Sequence, residues 1–277
     1  MILVFTDEQR ERYSRQMKLE EVGEAGQKKL AESRVLVVGA GGLGSPVLMY
    51  LASSGVGTLG IVDGDSIDVS NMQRQVIHST RGVGNSKAES AAKRVQEINP
   101  YVKTVVYREY LAADTAWDMI QDYDFVLDCV DNFPARFIIN DVCVLAKKPF
   151  CHGGICGFTG QVMTYVPGQG PCYRCLFEEI PGKEVQESSS QGGVISSLPG
   201  IIGSVQALEA QKYILETGEL LTGRMLTFDG LTMQVRTVNL GGASAYCRVC
   251  GENADIKEIR PELYREQETG SSEGSKQ

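Results

Sequence analysis

Four of the cysteines stand in two Cys-x-x-Cys pairs, Cys172 with Cys175 and Cys247 with Cys250. Two thiolate pairs at this spacing are the usual ligand set of a tetrahedral zinc ion. Because residues 176–246 separate the pairs, the metal would tie together distant parts of one fold. Four protein ligands leave no open position for catalysis, so the pattern predicts a structural zinc site. A redox role is the weaker alternative, since neither pair lies at a predicted strand-to-helix junction.

A glycine-rich turn, Gly39-Ala-Gly-Gly-Leu-Gly44, connects the apolar run 35–38 to a predicted helix. Gly39 permits the tight turn, Gly41 lets a phosphate approach the backbone, and Gly44 lets the helix pack closely on the strand. The start of the helix offers unpaired N–H groups to an anion. The pattern predicts the first βαβ unit of a nucleotide-binding fold, although the same glycine signature serves NAD, FAD and ATP.

Polar side chains follow the predicted strands at the edge where parallel sheets bind ligands. Asp63 ends the second predicted strand, in the position that binds ribose hydroxyls in such folds. The other members are Asp65, Asn71, Arg74 and Gln75 in the next loop, Lys87 in the first turn of a helix, and Asp131 with Asn132 after a later strand. Two cations, an acid for ribose and an acid available for Mg²⁺ suit a triphosphate better than a dehydrogenase pyrophosphate. Each residue alone could be a surface charge or a helix cap, but their joint placement favours a site.

The elements that position these residues alternate between strand and helix. Predicted strands cover 35–38, a run ending at residue 63, 102–107, 125–130 and 149–152, and predicted helices cover 7–16, 26–32, 45–54, 86–98, 115–121 and 136–146. This alternation is typical of an α/β fold with a doubly wound, Rossmann-like and mostly parallel sheet. The first two helices form an N-terminal helical arm over residues 1–33, either a solvated extension or a docking segment.

The pattern changes in the second half of the chain. Segments 160–166, 225–229 and 234–240 look like more polar, hairpin-connected strands, which predicts an antiparallel extension of the sheet. A polar loop over 183–193 and a helix over 199–216, capped by Gly218, lie between them. The last residues, 261–277, are predicted to be a disordered tail because they are mostly polar and rich in Gly and Ser.

The composition is that of a globular protein with ample length for a core: 277 residues, 42% of them hydrophobic. A net charge of −8 weighs against nucleic acid as a partner. The N-terminus has no secretory signal pattern, and with eight cysteines this predicts a reducing, cytoplasmic location. The remaining cysteines show no ligand spacing and are expected to pack in the core; they are Cys129, Cys143, Cys151 and Cys156.

One uncharged stretch, residues 35–62, is long enough to suggest a membrane span. It contains seven glycines and Pro46, however, and its first strand signal ends after a few residues. A parallel strand that is buried on both faces is also continuously apolar. We therefore expect a buried βαβ unit and no membrane partner.

Together these motifs resemble the ThiF/MoeB/HesA family, the bacterial relatives of ubiquitin-activating E1 enzymes, and MoeB-like members most closely. The motifs occur in the family's order from about Asp7 to Cys250. They are R-Y-S-R-Q at 12–16, the glycine turn, D-x-D at 63–65, S-N-x-x-R-Q at 70–75, the Lys87 helix, D-x-x-D-N at 128–132 and the two cysteine pairs. The resemblance implies that residues 34–260 form an E1-like adenylation domain with a four-cysteine zinc site.

The resemblance also implies a reaction. The family adenylates the C-terminal glycine of a small ubiquitin-like sulfur carrier of the MoaD/ThiS kind, ending in Gly-Gly, and releases pyrophosphate before thiocarboxylation. Asp63 would hold the ribose and Gly41 with Gly42 would face the phosphates. Asn71, Arg74 and Lys87 would contact the triphosphate, and Asp131 would bind Mg²⁺. Arg15 would come from the partner subunit in the manner of an arginine finger, which implies a homodimer.

One position departs from the family pattern. Many relatives carry a cysteine in the loop before the last helix, and alignment on Gly193 and Val194 puts Ser189 there. Serine cannot form an acyl disulfide, and its alkoxide is a poor leaving group for thioester chemistry. This predicts adenylation only, with sulfur supplied by an external donor. The absence of room for a rhodanese domain after residue 277 supports the same expectation.

Two other functions stay open at this point. A flavin- or NAD-linked oxidoreductase with a structural zinc would share the glycine turn, but Lys87 and the S-N-x-x-R-Q loop argue against it. A non-catalytic family member, such as a scaffold or a tRNA-linked relative, would share the fold. The carrier stays open too, because molybdopterin, thiamine, cysteine and natural-product pathways use this architecture.

Overall fold

A computed structural model of the chain describes residues 4–184 and 192–264. Within these residues, eight strands form a single sheet. The strands are β1 (Arg34–Val38), β2 (Thr58–Val62), β3 (Lys103–Tyr107), β4 (Phe125–Asp128), β5 (Phe150–Cys156), β6 (Thr159–Tyr165), β7 (Arg224–Asp229) and β8 (Gln234–Asn239). Their order in the sheet is β3-β2-β1-β4-β5-β6-β7-β8.

Eight α-helices lie within the described residues. They are α1 (Asp7–Met17), α2 (Gly23–Glu32), α3 (Gly44–Ser54), α4 (Lys87–Ile98), α5 (Ala116–Gln121), α6 (Phe133–Leu145), α7 (Tyr173–Leu176) and α8 (Leu198–Leu215). Short 3-10 helices occur at Val69–Asn71, Thr80–Gly82 and Pro261–Tyr264.

The sheet is parallel from β3 to β5 and antiparallel from β5 to β8. The strand order reverses at β1, which pairs with β2 on one side and with β4 on the other. In doubly wound sheets, such a reversal opens a crevice at the carboxyl ends of the strands, where ligands bind. The predicted doubly wound sheet and its antiparallel extension are both confirmed.

Apolar layers cover both faces of the parallel part of the sheet. Val35 and Val37 of β1 face the layer under α3, α4 and α8, whereas Leu36 and Val38 face the layer under α5 and α6. Successive residues of a strand point to opposite faces of the sheet. Because both faces are covered, all four side chains are buried. The uncharged stretch 35–62 is thus β1, α3 and β2, and no helix in the described ranges is long and apolar enough to cross a membrane.

The two N-terminal helices dock on the sheet domain. Tyr13 of α1 is buried, and its hydroxyl accepts a hydrogen bond of 2.9 Å from Asn99 at the end of α4. Gln27 of α2 is also buried, and its amide donates to the carbonyl of Ser54 at the end of α3. The arm therefore packs within the chain's own fold, which rules out a solvated extension.

Several predicted boundaries were wrong, each for a local reason. β5 continues to Cys156, because Gly153 leaves room for Gln206: a Cβ there would lie 2.4 Å from the Gln206 amide oxygen. Helix α6 begins three residues earlier than predicted, since the Asn132 side chain caps the backbone N–H of Ala135. The long helix α8 ends at Leu215, and its C-cap residue is Glu216 in the left-handed conformation, not the predicted Gly218.

The predicted tail also begins too early. Pro261–Tyr264 form a 3-10 helix, and the Tyr264 side chain is buried with its hydroxyl donating to Asp141 of α6 at 2.9 Å. Burial of an aromatic ring with a satisfied hydroxyl fixes this segment to the domain. The remainder of the predicted tail, residues 265–277, lies outside the described residues.

Replacing Gly44 by alanine should destabilise the protein by roughly 3 kcal/mol or more. A Cβ at this position would lie 2.0 Å from the carbonyl oxygen of Gly39, so the turn between β1 and α3 would have to move. Gly200→Ala in α8 is the control, because nothing lies within 4 Å of its Cβ position and alanine favours a helix. Urea unfolding should show a large loss for the first variant and none for the second; equal stabilities would contradict the prediction.

Candidate functional site

A cavity of about 810 Å³ opens at the carboxyl ends of β1, β2 and β4, where the strand order reverses. Its wall brings together ten of the residues that the sequence predicts for a nucleotide site. These are Gly39, Gly41, Gly42, Asp63, Asp65, Arg74, Gln75, Lys87, Asp131 and Asn132. They come from the glycine turn, the loop after β2, the first turn of α4 and the loop after β4.

The glycine turn is a close backbone approach. Gly39 has φ +98°, and a Cβ there would lie 2.6 Å from the carbonyl oxygen of Cys129 in the neighbouring loop. Only glycine adopts this conformation without strain and leaves the space empty. The turn leads directly into Gly44 at the start of α3, so the positive end of the helix dipole lies next to the glycines that line the cavity.

Asp63 is held at the edge of this turn. One carboxylate oxygen accepts from the backbone N–H of Ala40 at 2.8 Å, and the other accepts from the backbone N–H of Asp65 at 2.9 Å. Burial raises the pKa of Asp63 although both hydrogen bonds act in the opposite direction. A carboxylate fixed in this way keeps further acceptor sites, which suits the hydroxyl groups of a sugar.

Lys87 lies on the opposite side of the loop and is paired with Asp65. Its side chain is 8% exposed, and its ammonium donates to the Asp65 carboxylate at 2.7 Å. Partial burial acts against ionisation of Asp65, but the hydrogen bonds from Lys87 and Tyr110 lower its pKa overall. The Asp65 carboxylate thus pairs with a largely buried ammonium at the first residue of α4, where an anion entering the cavity would meet it.

The loop after β2 presents polar atoms without a protein partner. Gln75 is buried, and its Oε1 atom accepts no hydrogen bond from any described residue. Its amide nitrogen lies against Gly41, since a Cβ on Gly41 would be 3.3 Å away. Arg74 is half-buried and makes one long contact of 3.4 Å to the carbonyl of Ser70. A ligand with donors and negative charge fits this wall.

Asp131 and Asn132 have different roles. Asp131 is exposed in the loop after β4, so its carboxylate is available to a hard cation such as Mg²⁺, which takes one or two carboxylates together with phosphate oxygens. The side-chain oxygen of Asn132 caps α6 by accepting from Ala135 at 2.9 Å. Asn132 lines the cavity, but its oxygen is already in use.

The four paired cysteines converge on one point. All four sulfur atoms lie within 4.8 Å of one another, with Cys172 3.5 Å from Cys247 and Cys175 3.4 Å from Cys250. Four thiolates about 2.3 Å from a tetrahedral zinc ion would lie about 3.8 Å apart, close to this spacing. The residues present therefore fit zinc. Cys172 is the N-cap residue of α7 and Cys175 lies in its single turn, whereas the other two cysteines follow β8.

Three of the other cysteines behave as expected and one does not. Cys129, Cys143 and Cys151 are buried, and burial raises the pKa of each thiol well above its ordinary value. Cys156, predicted to pack in the core, is exposed at the end of β5 and lines the cavity. The β5–β6 turn that follows it at Gly157 brings Cys156 to the surface.

Comparison with known proteins identifies the family. Residues 13–249 match the ThiF family over most of the chain. The chain belongs to the ThiF family. The adenylyltransferase and sulfurtransferase MOCS3-1 of Zea mays is 47% identical over 247 residues, which is 89% of this chain and 53% of the maize protein. The MOCS3 adenylyltransferase and sulfurtransferase of Mus musculus is 44% identical over 90% of this chain and 54% of the mouse protein. The chain thus spans about half the length of these curated relatives.

A solved structure shares the fold. The crystal structure of E. coli MccB with ATP superposes with a TM-score of 0.76 at 24% identity, over 87% of this chain and 73% of the MccB chain. At this identity the likeness concerns the fold alone. The predicted resemblance to the ThiF group is therefore confirmed from both the sequence and the architecture.

Three of the predicted site residues do not line the cavity. Arg15 is exposed in the last turn of α1, and Asn71 donates to its neighbour Ser70. Gly44 packs against Gly39 and acts on the turn's geometry. Their contact with a nucleotide stays a prediction. Ser189, on which the sulfur-transfer prediction depends, lies outside the described residues.

The far wall of the cavity contains polar residues that the sequence reasoning missed. Arg136, Gln161 and Tyr173 line it, and His152 lies directly behind them. The Nδ1 atom of the fully buried His152 lies 2.7 Å from the carboxylate of Asp128. Arg136 could have been found, because it stands one turn into the helix that follows the ThiF motif D-x-x-D-N. Tyr173 gave no such signal, since it stands between zinc cysteines.

Acidification should destabilise the protein through its two histidines, His78 and His152. Burial, opposed at His78 by its contact with the Ala40 carbonyl, lowers the pKa of both rings. The unfolded chain therefore binds protons more readily, so stability should fall as pH drops below about 6.5. Urea midpoints should decrease from pH 7.5 to pH 5, and His78→Gln and His152→Gln should each flatten the slope. A slope that both histidine replacements leave unchanged would assign the effect to other groups.

Proposed function

We propose that this protein activates the C-terminal carboxylate of a small ubiquitin-like sulfur carrier by adenylation, using MgATP and releasing pyrophosphate. The observation that carries the proposal is the joint placement of the glycine turn, Asp63, Arg74, Lys87 and Asp131 on one cavity wall. Relatives at 44–47% identity over most of this chain are named adenylyltransferases. The ThiF family match covers residues 13–249 of this chain.

The cavity suits ATP in a defined orientation. Asp63 accepts hydrogen bonds from the ribose hydroxyls, and the glycine turn lies against the phosphates. Arg74, Lys87 and the unpaired amide oxygen of Gln75 lie on the same side. Asp131 supplies a carboxylate ligand for Mg²⁺, which neutralises charge on the phosphates when it is bound. A partner subunit's Arg15 would add a further cation in a homodimer, since Arg15 is exposed and does not line its own cavity.

The reaction itself needs positioning and charge more than proton transfer. A carboxylate oxygen of the carrier forms a bond to the α-phosphorus, the bond between the α-phosphorus and the bridging oxygen breaks, and pyrophosphate leaves. The acceptor is already ionised near pH 7, so no general base is needed. Two anions must approach each other, and fixed cations in a partly enclosed cavity reduce that repulsion.

The carrier would dock at the antiparallel end of the sheet, beside the cavity. β8 is the edge strand of the described sheet and all of its residues are exposed. Exposed apolar side chains surround the β5–β6 and β7–β8 turns: Phe158, Ile195, Leu231, Met233 and Val235. Gly157 hydrogen-bonds Gly193, which lines the cavity, so this apolar surface continues into the site. An apolar patch of this kind marks a surface for another protein.

Sulfur would come from an external donor, because position 189 is a serine where many relatives carry a cysteine. A hydroxyl cannot form the acyl disulfide or thioester that a thiol forms. Thiolate ligands and a free thiol at Cys156 suit a reducing cytoplasm. Isolation of a covalent adduct between the protein and its carrier would contradict this part of the proposal.

ATP–pyrophosphate exchange tests the proposal directly. We expect exchange with a recombinant Gly-Gly-terminated carrier of the molybdopterin or thiamine type, and none without a carrier. Asp131→Ala and Arg74→Ala should each lose most of the exchange, because they remove the predicted Mg²⁺ ligand and a predicted phosphate cation. Asp118→Ala on α5 is a control, because Asp118 is exposed and does not line the cavity. MgATP binding without exchange for any carrier would reject the activity and keep the fold.

A further inference from the structure

Arg136 is a cation on the far wall of the cavity that the nucleotide does not account for. Three cationic side chains line the cavity within the described part of the chain: Arg74, Lys87 and Arg136. The first two belong to the loop after β2 and the start of α4. Arg136 instead lies on α6, beside the wall that β5, β6 and α7 form.

The guanidinium of Arg136 is held in place, although its Nε–H group makes no hydrogen bond to a described residue. Its centre lies 5.5 Å from the ring centroid of Phe133 and 5.9 Å from that of Tyr173, so aromatic rings fix its plane. One terminal nitrogen donates to the carbonyl of Val130 at 3.0 Å. The buried Nε atom has no hydrogen-bond partner among the described residues, although it lies 3.4 Å from a carboxylate oxygen of Asp128.

The carboxylate of Asp128 is already engaged by other donors. The oxygen nearest Arg136 also lies 2.7 Å from Nδ1 of His152, and its second oxygen accepts from the Val130 N–H at 3.2 Å. Burial and the neighbouring Arg136 lower the pKa of His152, so the neutral ring carries its proton on Nδ1, toward Asp128. Asp128 therefore keeps Arg136 charged and in place without saturating its donors.

We propose that Arg136 binds the C-terminal carboxylate of the carrier, opposite the triphosphate cations. This inference rests on the proposed function. The planar fork of arginine matches a carboxylate in two-point contact, and its position in the first turn of α6 adds the positive end of the helix dipole. From this wall Arg136 faces a chain that enters past the glycine-lined segment Gly154, Gly192 and Gly193. Tyr173 and Asp128 act as positioning residues.

The test compares a carrier that supports exchange with the same carrier bearing a C-terminal amide. Calorimetric titration with a non-hydrolysable ATP analogue present gives the affinity for each form. Wild type should prefer the free carboxylate by roughly ten- to hundred-fold, as expected for one charge-assisted contact. Arg136→Met should lose this preference by weakening only the free acid, and Arg136→Lys should retain part of it. The KM for ATP should stay unchanged.

Arg174→Met is the matched control. Arg174 is buried, pairs with Asp141 at 2.7 Å and lies over the ring of Phe137, but it does not line the cavity. It should lose stability and keep the acid-to-amide preference. The inference is overturned, and the proposed function is not, if the Arg136→Met protein keeps the acid-to-amide preference. The same holds if this variant loses affinity for ATP and not for the free acid. A wild-type protein with neither exchange nor carrier binding overturns the proposed function as well.

Discussion

Replacing Lys87 by methionine should lower the rate of ATP–pyrophosphate exchange by roughly 10²–10³-fold, the loss typical for one preorganised donor at a developing charge. Lys87 is a buried cation of the cavity, and its ammonium lies 2.7 Å from the Asp65 carboxylate. When a triphosphate binds, the Lys87 ammonium can move from Asp65 to the phosphates while it stays inside the cavity. Methionine keeps the length and the apolar stem of lysine and removes the charge. Exchange is measured with the carrier at saturation and ATP varied.

A second lysine on the same helix provides the control. Lys93 lies on α4 and is exposed, so Lys93→Met removes the same charge from the same element without touching the cavity. It should exchange at the wild-type rate. Thermal stability of Lys87→Met should change little, because the Asp65 side chain is 44% exposed and water can replace its partner. If both variants exchange within tenfold of wild type, Lys87 does not contact the triphosphate.

The parallel half of the fold was predictable because local and tertiary signals agree there. The apolar run of β1, the glycine turn and the acid at residue 63 all indicate one βαβ unit, and the structure confirms it. β5 was cut short because two glycines resemble a strand end. In the fold they pair with β6, and Gly153 makes room for a buried glutamine of α8. Only the packed neighbour explains that glycine.

The residues on one wall of the candidate site were predictable for the same reason, and those on the opposite wall were not. Residues such as Asp63, Arg74 and Lys87 follow strand ends and stand in recognisable motifs. Tyr173 reaches the cavity because the turn of α7, between two zinc cysteines, packs against α6 and β5. Residues that reach a site through tertiary packing carry no local spacing signal, so sequence motifs alone do not reveal them.

The same packing connects the predicted metal site to the candidate nucleotide cavity. Tyr173 donates its backbone N–H to Asn140 of α6 at 2.7 Å, and Arg174 clamps Asp141 of the same helix. The ring of Tyr173 lies 4.9 Å from that of His152. A structural zinc at the four cysteines would therefore stabilise more than the C-terminal segment, because it would also anchor the turn that forms the far wall.

Removal of zinc by a chelator should lower the melting temperature by roughly 10 °C, as expected if the site contributes a few kcal/mol to a domain of this size. Without the metal, Cys247 and Cys250 no longer hold the segment after β8 to α7. ATP should still bind below the lowered melting temperature, since the residues predicted to hold it lie on the glycine turn and the loops after β2 and β4. Calorimetry, metal analysis and ATP titration on the same sample measure all three quantities.

Two cysteine variants separate a metal site from a general thiol effect. Cys247→Ser should lose zinc and reproduce the lowered melting temperature, because serine is a poor zinc ligand. Cys156→Ser should retain one zinc ion per chain, since Cys156 lies outside the four-sulfur cluster. Zinc retention by Cys247→Ser, or a melting temperature that chelation leaves unchanged, would contradict the structural role. Loss of ATP binding at a temperature where the chelated protein is still folded would extend that role to the nucleotide side of the cavity.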